Sequence, residues 1–555
     1  MSAAPSTADH RLHDVLIIGG GANGTGVARD LALRGLSVVL VEKKDFAAGA
    51  SGASSGMIHG GIRYLRQDPG VTEISSRDSG YIQRIAPHLL FRIPFIFPVL
   101  RKGATPTLGE QVYLYGAEVY FSAYDAYQPL KGGHPSSRLT AEEAITLEPA
   151  LRPELVGAVT TDEWGIDAQR LCAANALSAQ ASGALLLTHT EVLALSRDAD
   201  GRLLGAEVRR DGRKAFVRAR VVLNAGGPWA QQVAALAGVD VRLRPGKGVH
   251  LTLDRRVSNY GIIANAVDGR QIFVYPHEQT SIIGTTDDDY YGDLDRIPIT
   301  HDEVEYLISG IESVLPGVRQ ARIQSAWAGI RPTLFQYGPN EEALPREHAI
   351  VDHARDGVPG FYSVLGGKLA SYRLQSEEAS DLIAHALGNS EPCRTHLLPL
   401  PGGESRPDPD ELARAHGFPA WVAERVVYRH GARAEAILAQ AHDEPWLRGL
   451  LCPCEQLTYA EARHCVREEL AENLSDLRRR CRLGMGLCQG LRCAAPAASL
   501  MRAELGWTPG QTRAELWRFL QSRFEGQAPV LDGESVAQHE LLRQSYFQAG
   551  ALRRP

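Results

Sequence analysis

The chain has 555 residues, of which 44% are hydrophobic and 22% charged, and its formal net charge is −6. This composition is typical of folded globular protein and excludes global disorder. The length predicts about two to four domains. The negative net charge does not indicate binding to nucleic acid. No apolar run approaches the roughly 20 residues of a transmembrane helix, so none is predicted. Residues 1–12 lack the apolar core of a secretory signal and are predicted to be a loose leader, which favours a cytoplasmic location.

Residues 13–42 carry the pattern of a parallel strand–helix–strand unit. The apolar run 15–18 ends at a glycine, as expected of a buried parallel strand. Apolar residues at helical spacing follow over 25–34, and a second strand is predicted at 37–41. This unit predicts an α/β domain with a ligand at the turn between strand and helix.

The turn in this unit contains the pattern G-x-G-x-x-G at Gly19, Gly21 and Gly24. Gly19 permits a tight turn, Gly21 lets backbone N–H groups approach a pyrophosphate, and Gly24 lets the helix pack closely on the strand. Glu42 ends the second strand, where an acid accepts hydrogen bonds from the ribose of a bound dinucleotide. An acid disfavours NADP, whereas FAD and NAD are not separated by these residues, and a structural turn without a ligand is the alternative.

Residues 43–64 form a predicted loop that is rich in Gly, Ser and Ala. Small residues allow close backbone approach and offer N–H and hydroxyl donors, so the loop is predicted to run beside the cofactor. A flexible surface loop is the alternative, although the reactive side chains at the end of the loop argue against a mere linker. The candidate site residues of this loop are Ser51, Ser55, His59, Arg63 and Tyr64.

Two later stretches predict further elements of the fold. Residues 90–100 are apolar but contain Pro94 and Pro98, and they are predicted to be buried core, with an interfacial membrane segment as the alternative. Residues 184–223 alternate short apolar runs with turn signals, which predicts an antiparallel meander. The last strand of the meander leads into a glycine turn at 224–227.

The nucleotide-binding unit followed by GASGASSGMIHGGIRYL resembles the FAD-dependent glycerol-3-phosphate dehydrogenases, which belong to a wider class of flavoproteins related to D-amino-acid oxidase. Further stretches similar to that family are VVLNAGGPWA (221–230), GKGVHL (246–251), IIGTTDDDY (282–290), AGIRP (328–332) and GGKLASYR (366–373). The resemblance spans about residues 13–400 and moves the cofactor prediction from NAD to FAD. It implies an α/β fold with an FAD-binding Rossmann-like domain and a substrate domain built on a mixed or antiparallel sheet.

The same resemblance implies further site residues. Additional cofactor contacts are implied for Gly226, Gly284, Thr285 and Gly367. Because the phosphate of glycerol 3-phosphate carries about two negative charges near neutral pH, its site needs cations that can donate hydrogen bonds. The resemblance implies that Arg63, Arg331 and Lys368 line the substrate pocket. Arg373 is a weaker candidate, and a role only in supporting Lys368 is its alternative.

Oxidation of the C2 alcohol also needs a base for the hydroxyl proton, and histidine suits that role near neutral pH. The resemblance implies that His250, in GKGVHL, faces the substrate. His59 is the second candidate and is also a candidate flavin contact, and Tyr64 is a candidate to hold a substrate oxygen.

Six of the eight cysteines lie between residues 452 and 493, after a Pro- and Gly-rich linker at 399–409. Two close pairs are formed by Cys452, Cys454, Cys488 and Cys493. They are predicted to hold a [2Fe–2S] cluster or a tetrahedral zinc ion, and unligated thiols are the remaining alternative. Their pattern resembles the [2Fe–2S] domain related to bacterioferritin-associated ferredoxin that extends the large subunit of anaerobic glycerol-3-phosphate dehydrogenases. Cys465 and Cys481 fall outside the pattern and are predicted to be buried packing residues.

We therefore expect a dehydrogenase that oxidises sn-glycerol 3-phosphate to dihydroxyacetone phosphate and passes electrons through FAD and the cluster. The resemblance implies two partners, a second flavoprotein subunit together with a membrane-attached iron–sulfur subunit that delivers electrons to quinone, so the chain is expected on the inner face of the cell membrane. The predicted divisions are the flavoprotein body at 13–398, linker and helices at 399–450, the cysteine module at 451–503 and a helical tail at 504–555. The alternatives are an oxidase of an amine or 2-hydroxy acid and a non-catalytic electron relay.

Overall fold

The computed structural model describes residues 11–66, 68–338 and 347–548, and it describes the backbone but not the side chains of Arg63, Phe547 and Gln548. Most of the predicted leader, residues 1–10, lies outside the described residues. The strands are β1 (Leu12–Ile18), β2 (Val38–Val41), β3 (Leu90–Leu100), β4 (Arg138–Thr140), β5 (Leu155–Ile166), β6 (Leu185–Leu187), β7 (Glu191–Arg197), β8 (Leu203–Arg210), β9 (Arg213–Asn224), β10 (Leu243–Leu253), β11 (Gly261–Asn265), β12 (Gln271–His277), β13 (Thr280–Gly284), β14 (Asp288–Asp289), β15 (Ile323–Leu334), β16 (His348–Asp352), β17 (Phe361–Gly366), β18 (Leu450–Cys452) and β19 (Leu457–Thr458).

The α-helices lie between these strands and after them. They are α1 (Ala22–Leu33), α2 (Pro69–Ile85), α3 (Leu108–Tyr124), α4 (Ala141–Leu147), α5 (Ala168–Ala181), α6 (Ala230–Leu236), α7 (His301–Glu312), α8 (Tyr372–Ala386), α9 (Pro409–His416), α10 (Ala420–His430), α11 (Ala434–Asp443), α12 (Tyr459–Glu468), α13 (Leu474–Cys481), α14 (Ala494–Leu505), α15 (Pro509–Gln527) and α16 (Gly533–Gln548). Among the described helices, none is both long and apolar enough to cross a membrane.

The first sheet has the strand order β16-β17-β9-β1-β2-β6. Strand β1 runs parallel to both β2 and β9, and β6 is parallel to β2. Strands β7 and β8 extend antiparallel from β9, as the predicted meander requires, whereas β6 joins the parallel part. Because β1, α1 and β2 form the unit predicted for residues 13–42, the α/β fold class is confirmed.

The second sheet is mainly antiparallel and has the order β14-β10-β13-β12-β11-β3-β5-β4, with β15 paired to β10. The apolar segment at 90–100 is strand β3, which pairs along its length with β5. Phe95, Ile96 and Phe97 of this strand are at most 5% exposed. The segment is therefore a core strand in this structure, in agreement with the first of its two predicted roles.

The C-terminal part contains two hydrophobic cores. Helices α9 to α11 share one core, and the cysteine-bearing segments share another with α12 to α15. Phe519 and Phe524 of α15 belong to the same core as Cys452 and Cys493, so this unit continues past residue 503. The predicted division of the chain into four parts stays a prediction.

Buried ion pairs join the cysteine unit to the nucleotide-binding domain. The carboxylate of Asp45, which follows β2, accepts from Nη2 of Arg480 at 2.7 Å and from Nη1 at 3.0 Å. Both side chains are fully buried. Burial acts to raise the pKa of Asp45, but the guanidinium groups of Arg480 and Arg479 hold that pKa well below its usual range. A second buried pair joins Arg170 of α5 to Glu469.

We expect Asp45→Asn to destabilise the protein by about 3–5 kcal/mol, because it leaves the buried Arg480 guanidinium without its counter-ion. Urea denaturation followed by circular dichroism measures the change. Asp295→Asn is the matched control, since its carboxylate pairs with Lys43 but is 47% exposed, and it should cost less than about 1 kcal/mol. Equal effects of the two substitutions would contradict a structural role for the buried pair.

Candidate functional site

The glycine turn after β1 has no space for side chains at two of its three glycines. Gly19 has a φ of 116°, and a Cβ there would lie 2.4 Å from the carbonyl oxygen of Ala225. A Cβ on Gly24 would lie 1.9 Å from the carbonyl oxygen of Gly19. Gly21 is the N-cap of α1, so the N-terminal N–H groups of this helix face the space beside the turn. This is the geometry in which a helix N-terminus receives a pyrophosphate.

Glu42 takes part in holding this turn in place. One of its carboxylate oxygens accepts from the N–H of Gly20 at 2.7 Å and the other from the N–H of Lys44 at 2.7 Å. Burial raises the pKa of Glu42. The contact of Glu42 with a ribose stays a prediction, and its bonds to the glycine turn are a feature that the sequence pattern did not indicate.

A cavity of about 360 Å³ opens beside the turn. Its wall includes residues of the small-residue loop, of β15 and of the segment after β17. The predicted site residues that line it are Gly21, Ser51, Ser55, His59, Tyr64, Thr285, Arg331, Gly367 and Lys368. The predicted residues Gly19, Gly24, Glu42, Gly226, His250 and Gly284 support this region without lining the cavity.

Two of the three predicted substrate cations reach this cavity. Arg331 donates from Nη1 to Asp287 at 2.7 Å and from Nη2 to the hydroxyl of Thr285 at 3.1 Å. Lys368 donates to the hydroxyl of Ser75 at 3.0 Å, and its Nζ lies 4.2 Å from the ring centre of Tyr64. These contacts restrain both cations at the cavity wall. The side chain of the third, Arg63, lies outside the described residues.

Arg373 belongs to the support of the site. Its Nε donates to Asp78 at 2.6 Å and its Nη1 donates to Glu377 at 2.6 Å. Asp78 also accepts from the N–H of Leu374, which fixes the start of α8. Arg373 is buried in these ion pairs and does not line the cavity. We therefore assign it a structural role rather than a contact with substrate.

His250 lies behind the cavity wall. Its side chain is buried, its Nε2 lies 2.8 Å from the hydroxyl oxygen of Ser55, and its ring stacks on Trp327 at 5.2 Å. A Cβ on Gly284 would lie 2.4 Å from the His250 ring, so that glycine makes room for the histidine. Burial and the positive charge of Arg331 lower the pKa of His250 to about 3. His250 is therefore neutral and reaches the cavity through Ser55.

Two residues of β5 were missed by the sequence analysis. Glu163 lines the cavity and accepts hydrogen bonds from Lys131 at 2.5 Å and from the hydroxyl of Tyr124 at 2.6 Å. Thr161 also lines the cavity, and its buried hydroxyl has no hydrogen-bond partner among the described residues. The only sequence signal for this wall was the acidic pair at 162–163 within an apolar strand.

The four cysteines of the predicted centre lie together. The thiols of Cys452 and Cys488 act on that of Cys493 and raise its pKa, and Cys488 and Cys454 act on each other. A Cβ on Gly486 would lie 2.3 Å from the Cβ of Cys454, so the second cysteine loop packs directly on the first. Among the described residues, no three of these four sulfur atoms lie within 4.8 Å of one another.

Backbone N–H groups point at the sulfur atoms of this centre. Those of Glu455 and Gly484 donate to Cys452, and that of Gly490 donates to Cys488. Hydrogen bonds of this kind stabilise negative charge on sulfur in thiolate-ligated metal centres. The donor set and its backbone surroundings therefore fit a metal–thiolate group.

Cys465 and Cys481 stand apart from the centre. Both side chains are fully buried in the same hydrophobic core, and Cys481 donates to the carbonyl of Leu477 at 3.0 Å. They are packing residues in this structure.

Comparison with known proteins identifies the family. Residues 14–373 match the family described as FAD dependent oxidoreductase, and residues 393–512 match the C-terminal domain of alpha-glycerophosphate oxidase. Over 545 residues the chain is 35% identical to the A subunit of the anaerobic glycerol-3-phosphate dehydrogenase of Escherichia coli (strain K12), with 97% of each chain covered. The chain belongs to the FAD-dependent glycerol-3-phosphate dehydrogenase family. A relative from Haloferax volcanii, the A1 subunit of an anaerobic glycerol-3-phosphate dehydrogenase, is 32% identical, with 95% of this chain and 89% of the relative covered.

Solved structures agree with this family fold. The glycerol-3-phosphate dehydrogenase from Bacillus halodurans complexed with FAD superposes with a TM-score of 0.74 at 23% identity, covering 94% of this chain and 97% of that chain. FAD is thus the cofactor of the fold, and the residues here fit it, because the crowded glycines leave α1 open at its N-terminus and the cavity adjoins this turn.

We expect the stability of this glycerol-3-phosphate dehydrogenase family member to fall as the pH falls below about 6.5, in part because of His250. Its folded pKa of about 3 lies below the ordinary value of 6.5, so its contribution is fully present above pH 6.5 and is lost as the pH falls towards 3. The loss approaches about 1.4 kcal/mol per pH unit between the two values.

Urea denaturation at pH 5, 6 and 7 measures this dependence. His250→Gln should flatten the slope, whereas His301→Gln, at an exposed position at the start of α7, should leave it as it is. An unchanged slope in His250→Gln would refute the assignment of a buried neutral imidazole.

Proposed function

We propose that this chain binds sn-glycerol 3-phosphate in the cavity beside the glycine turn and oxidises its C2 alcohol to dihydroxyacetone phosphate. The observation that carries the proposal is the meeting of Arg331 and Lys368 at the cavity that adjoins the FAD-binding turn. FAD, when bound, supplies the hydride acceptor. The names of the relatives from Escherichia coli and Haloferax volcanii support the substrate.

Arg331 and Lys368 offer an organic phosphate two different kinds of contact. A guanidinium presents paired N–H donors that match phosphate oxygens, and an ammonium acts as a point charge. Asp287 and Thr285 hold Arg331 in one orientation, and the ring of Tyr64 and the hydroxyl of Ser75 hold Lys368. Since both cations are restrained before substrate binds, little side-chain freedom is lost on binding.

The hydroxyl of Ser55 connects the cavity to His250. Ser55 lines the cavity, and its oxygen lies 2.8 Å from Nε2 of His250. We propose that Ser55 passes the proton of the C2 hydroxyl to this nitrogen. Burial is the larger cause of the low pKa of His250 and the positive charge of Arg331 is the smaller one. A substrate phosphate beside Arg331 would offset only the second cause, which raises that pKa in part when substrate is bound. His59, which lines the cavity directly, is the second candidate for the base.

Anaerobic titration of the FAD-loaded protein with glycerol 3-phosphate tests the function, with flavin absorbance as the readout. We expect the flavin to bleach, and we expect Arg331→Ala or Lys368→Ala to raise the substrate concentration needed by about 10- to 150-fold, the equivalent of one charged hydrogen bond. Lys214→Ala, at a position 63% exposed on β9, is the control and should have no effect. A flavin that bleaches with dithionite or a 2-hydroxy acid but not with glycerol 3-phosphate would overturn the proposal.

We further propose that Cys452, Cys454, Cys488 and Cys493 hold a [2Fe–2S] cluster. The C-x-C spacing of the first pair and the glycine-bearing loop of the second resemble a [2Fe–2S] domain. Backbone N–H groups donate to Cys452 and Cys488, which is typical of thiolate-ligated metal centres. The cluster, when bound, supplies a one-electron exit for a two-electron donor.

Electrons that leave through the proposed cluster need partner proteins to accept them. The relatives carry names that mark them as the A or A1 subunit of their enzymes, which supports an assembly with further subunits. We propose a second flavoprotein subunit together with a membrane-attached iron–sulfur subunit that delivers electrons to quinone, with this chain on the cytoplasmic face of the membrane.

Electron paramagnetic resonance of the iron-replete protein after substrate reduction tests the cluster. We expect a reduced [2Fe–2S] signal that is abolished by Cys488→Ser, while the flavin still bleaches with substrate. Cys393→Ser is the control, because this partly buried cysteine lies outside the centre, and it should keep the signal. Zinc without iron in the purified protein would refute the cluster and leave the dehydrogenase function standing.

A further inference from the structure

The segment at 389–398, which follows α8, carries a cysteine and a histidine two residues apart. Its sequence is NSEPCRTHLL, and the pair is Cys393 and His396. The segment lies against the end of α1, where Asn389 donates to the carbonyl of Arg34 at 3.0 Å and Arg34 donates to the carbonyl of Glu391 at 3.1 Å. Thiolate and imidazole are the ligands that zinc prefers in proteins, and they commonly come from closely spaced positions.

A buried arginine fixes the backbone of this segment. Arg29 of α1 is 1% exposed and donates from Nη1 to the carbonyl of Thr395 at 3.1 Å and from Nη2 to that of Leu398 at 2.6 Å. The N–H groups of Leu397 and Leu398 both donate to the carbonyl of Arg394, which closes a turn. The backbone that carries the cysteine and the histidine is therefore held in one conformation.

Helix α8 brings a third metal-binding group to this turn. The ligand atoms of Glu377, Cys393 and His396 all lie within 4.8 Å of one another, and the three residues are partly buried. Around one tetrahedral zinc ion, with bonds of about 2.0–2.3 Å, such atoms lie about 3.4–3.6 Å apart. Small rotations of the side chains thus suffice to place all three groups on one ion.

Polar neighbours orient two of these groups. Nη1 of Arg373 donates to Glu377 at 2.6 Å, and because a carboxylate has two oxygens, Glu377 can keep this bond and bind a metal ion as well. The same Nη1 lies 3.3 Å from the hydroxyl of Thr395, which lies 3.0 Å from the sulfur of Cys393. Hydrogen-bonded partners of this kind orient the ligands of metal sites.

The surroundings of the cysteine sulfur attract a cation. Burial, and then the carboxylates of Asp30 and Glu377, raise the pKa of Cys393 to about 11. The sulfur therefore carries a proton near neutral pH, and a divalent ion that binds it forms a metal–sulfur bond and releases this proton to solvent. Arg29 opposes the attraction, but the thiolate formed on binding adds one negative charge and, with Glu377, matches the charge of the ion.

We propose that Glu377, Cys393 and His396 bind a zinc ion, with water at the fourth position. Sulfur and imidazole ligands favour zinc over magnesium and calcium, which prefer oxygen ligands. The ion joins α8 to the segment at 389–398, which leads into the C-terminal helices. Neither the cavity beside the glycine turn nor the cysteine centre contributes a ligand, so the site is independent of the function proposed above.

Equilibrium dialysis of the FAD- and iron-loaded protein against Zn²⁺, with the metal measured by mass spectrometry, tests this site, because iron then fills the cysteine centre. Structural zinc sites bind with nanomolar affinity or better, and with three protein ligands we expect one zinc per chain with half-saturation at about 1 µM or below. X-ray absorption at the zinc edge should show one sulfur neighbour at about 2.3 Å.

Substitution of each ligand should weaken zinc binding. We expect Cys393→Ser, His396→Gln and Glu377→Gln each to raise the half-saturating zinc concentration by at least about 100-fold, the upper end of what loss of a second-shell partner costs. Glu378→Gln is the matched control. Glu378 is the next residue on α8, is 46% exposed and pairs with His348, so this substitution should leave zinc binding unchanged.

The remaining outcomes would overturn the proposal. Absence of saturable zinc binding would do so, as would unchanged affinity in Cys393→Ser and His396→Gln. Zinc that is lost in Cys488→Ser but kept in Cys393→Ser would place the ion in the cysteine centre, and a zinc spectrum without a sulfur neighbour would refute the thiolate ligand. If Glu377→Gln does not fold because Arg373 loses a partner, the other two variants decide.

Discussion

The buried pair between Asp45 and Arg480 is the interaction on which the arrangement of this protein depends. Asp45 and Glu42 both lie in the segment directly after β2, and Arg480 lies on α13 of the cysteine unit. A buried carboxylate and guanidinium stabilise each other only at close range, because each is costly to bury alone. The pair therefore fixes the cysteine centre relative to the FAD-binding turn, as the proposed electron transfer between FAD and a cluster requires. The linked pair of Arg170 and Glu469 extends the same constraint.

The small-residue loop after β2 forms part of the wall of two cavities, the one beside the glycine turn and a second one that is also lined by Cys454. Ser54 and Ser55 of the loop separate the two cavities, and a larger side chain there would reduce both. Ser55 also forms the contact with His250, so one hydroxyl serves the wall and the proposed proton path. A loop of Gly, Ser and Ala can pass between two cavities because it occupies little volume while keeping its hydrogen-bond donors.

Local chemistry made much of the site predictable. The spacing of Gly19, Gly21 and Gly24 is a steric requirement of one turn, and the structure shows that Cβ atoms at Gly19 and Gly24 would overlap with backbone. Arg331 and Lys368 were found through short motifs that resemble a family. Thr161 and Glu163 were missed, because their role depends on β5 meeting the loop and α3, and no local pattern encodes that meeting.

The amino-acid sequence by itself determined the FAD-binding unit and the four cysteines of the proposed metal centre, since both depend on residue types at short, fixed spacings. Only the tertiary structure decided that His250 sits behind Ser55. It alone also decided that Arg478 and Arg523 line one cavity, although they lie 45 positions apart in the sequence (523 − 478). The reason is physical: burial and charge compensation are properties of contacts between distant segments, and they exist only once the chain has folded.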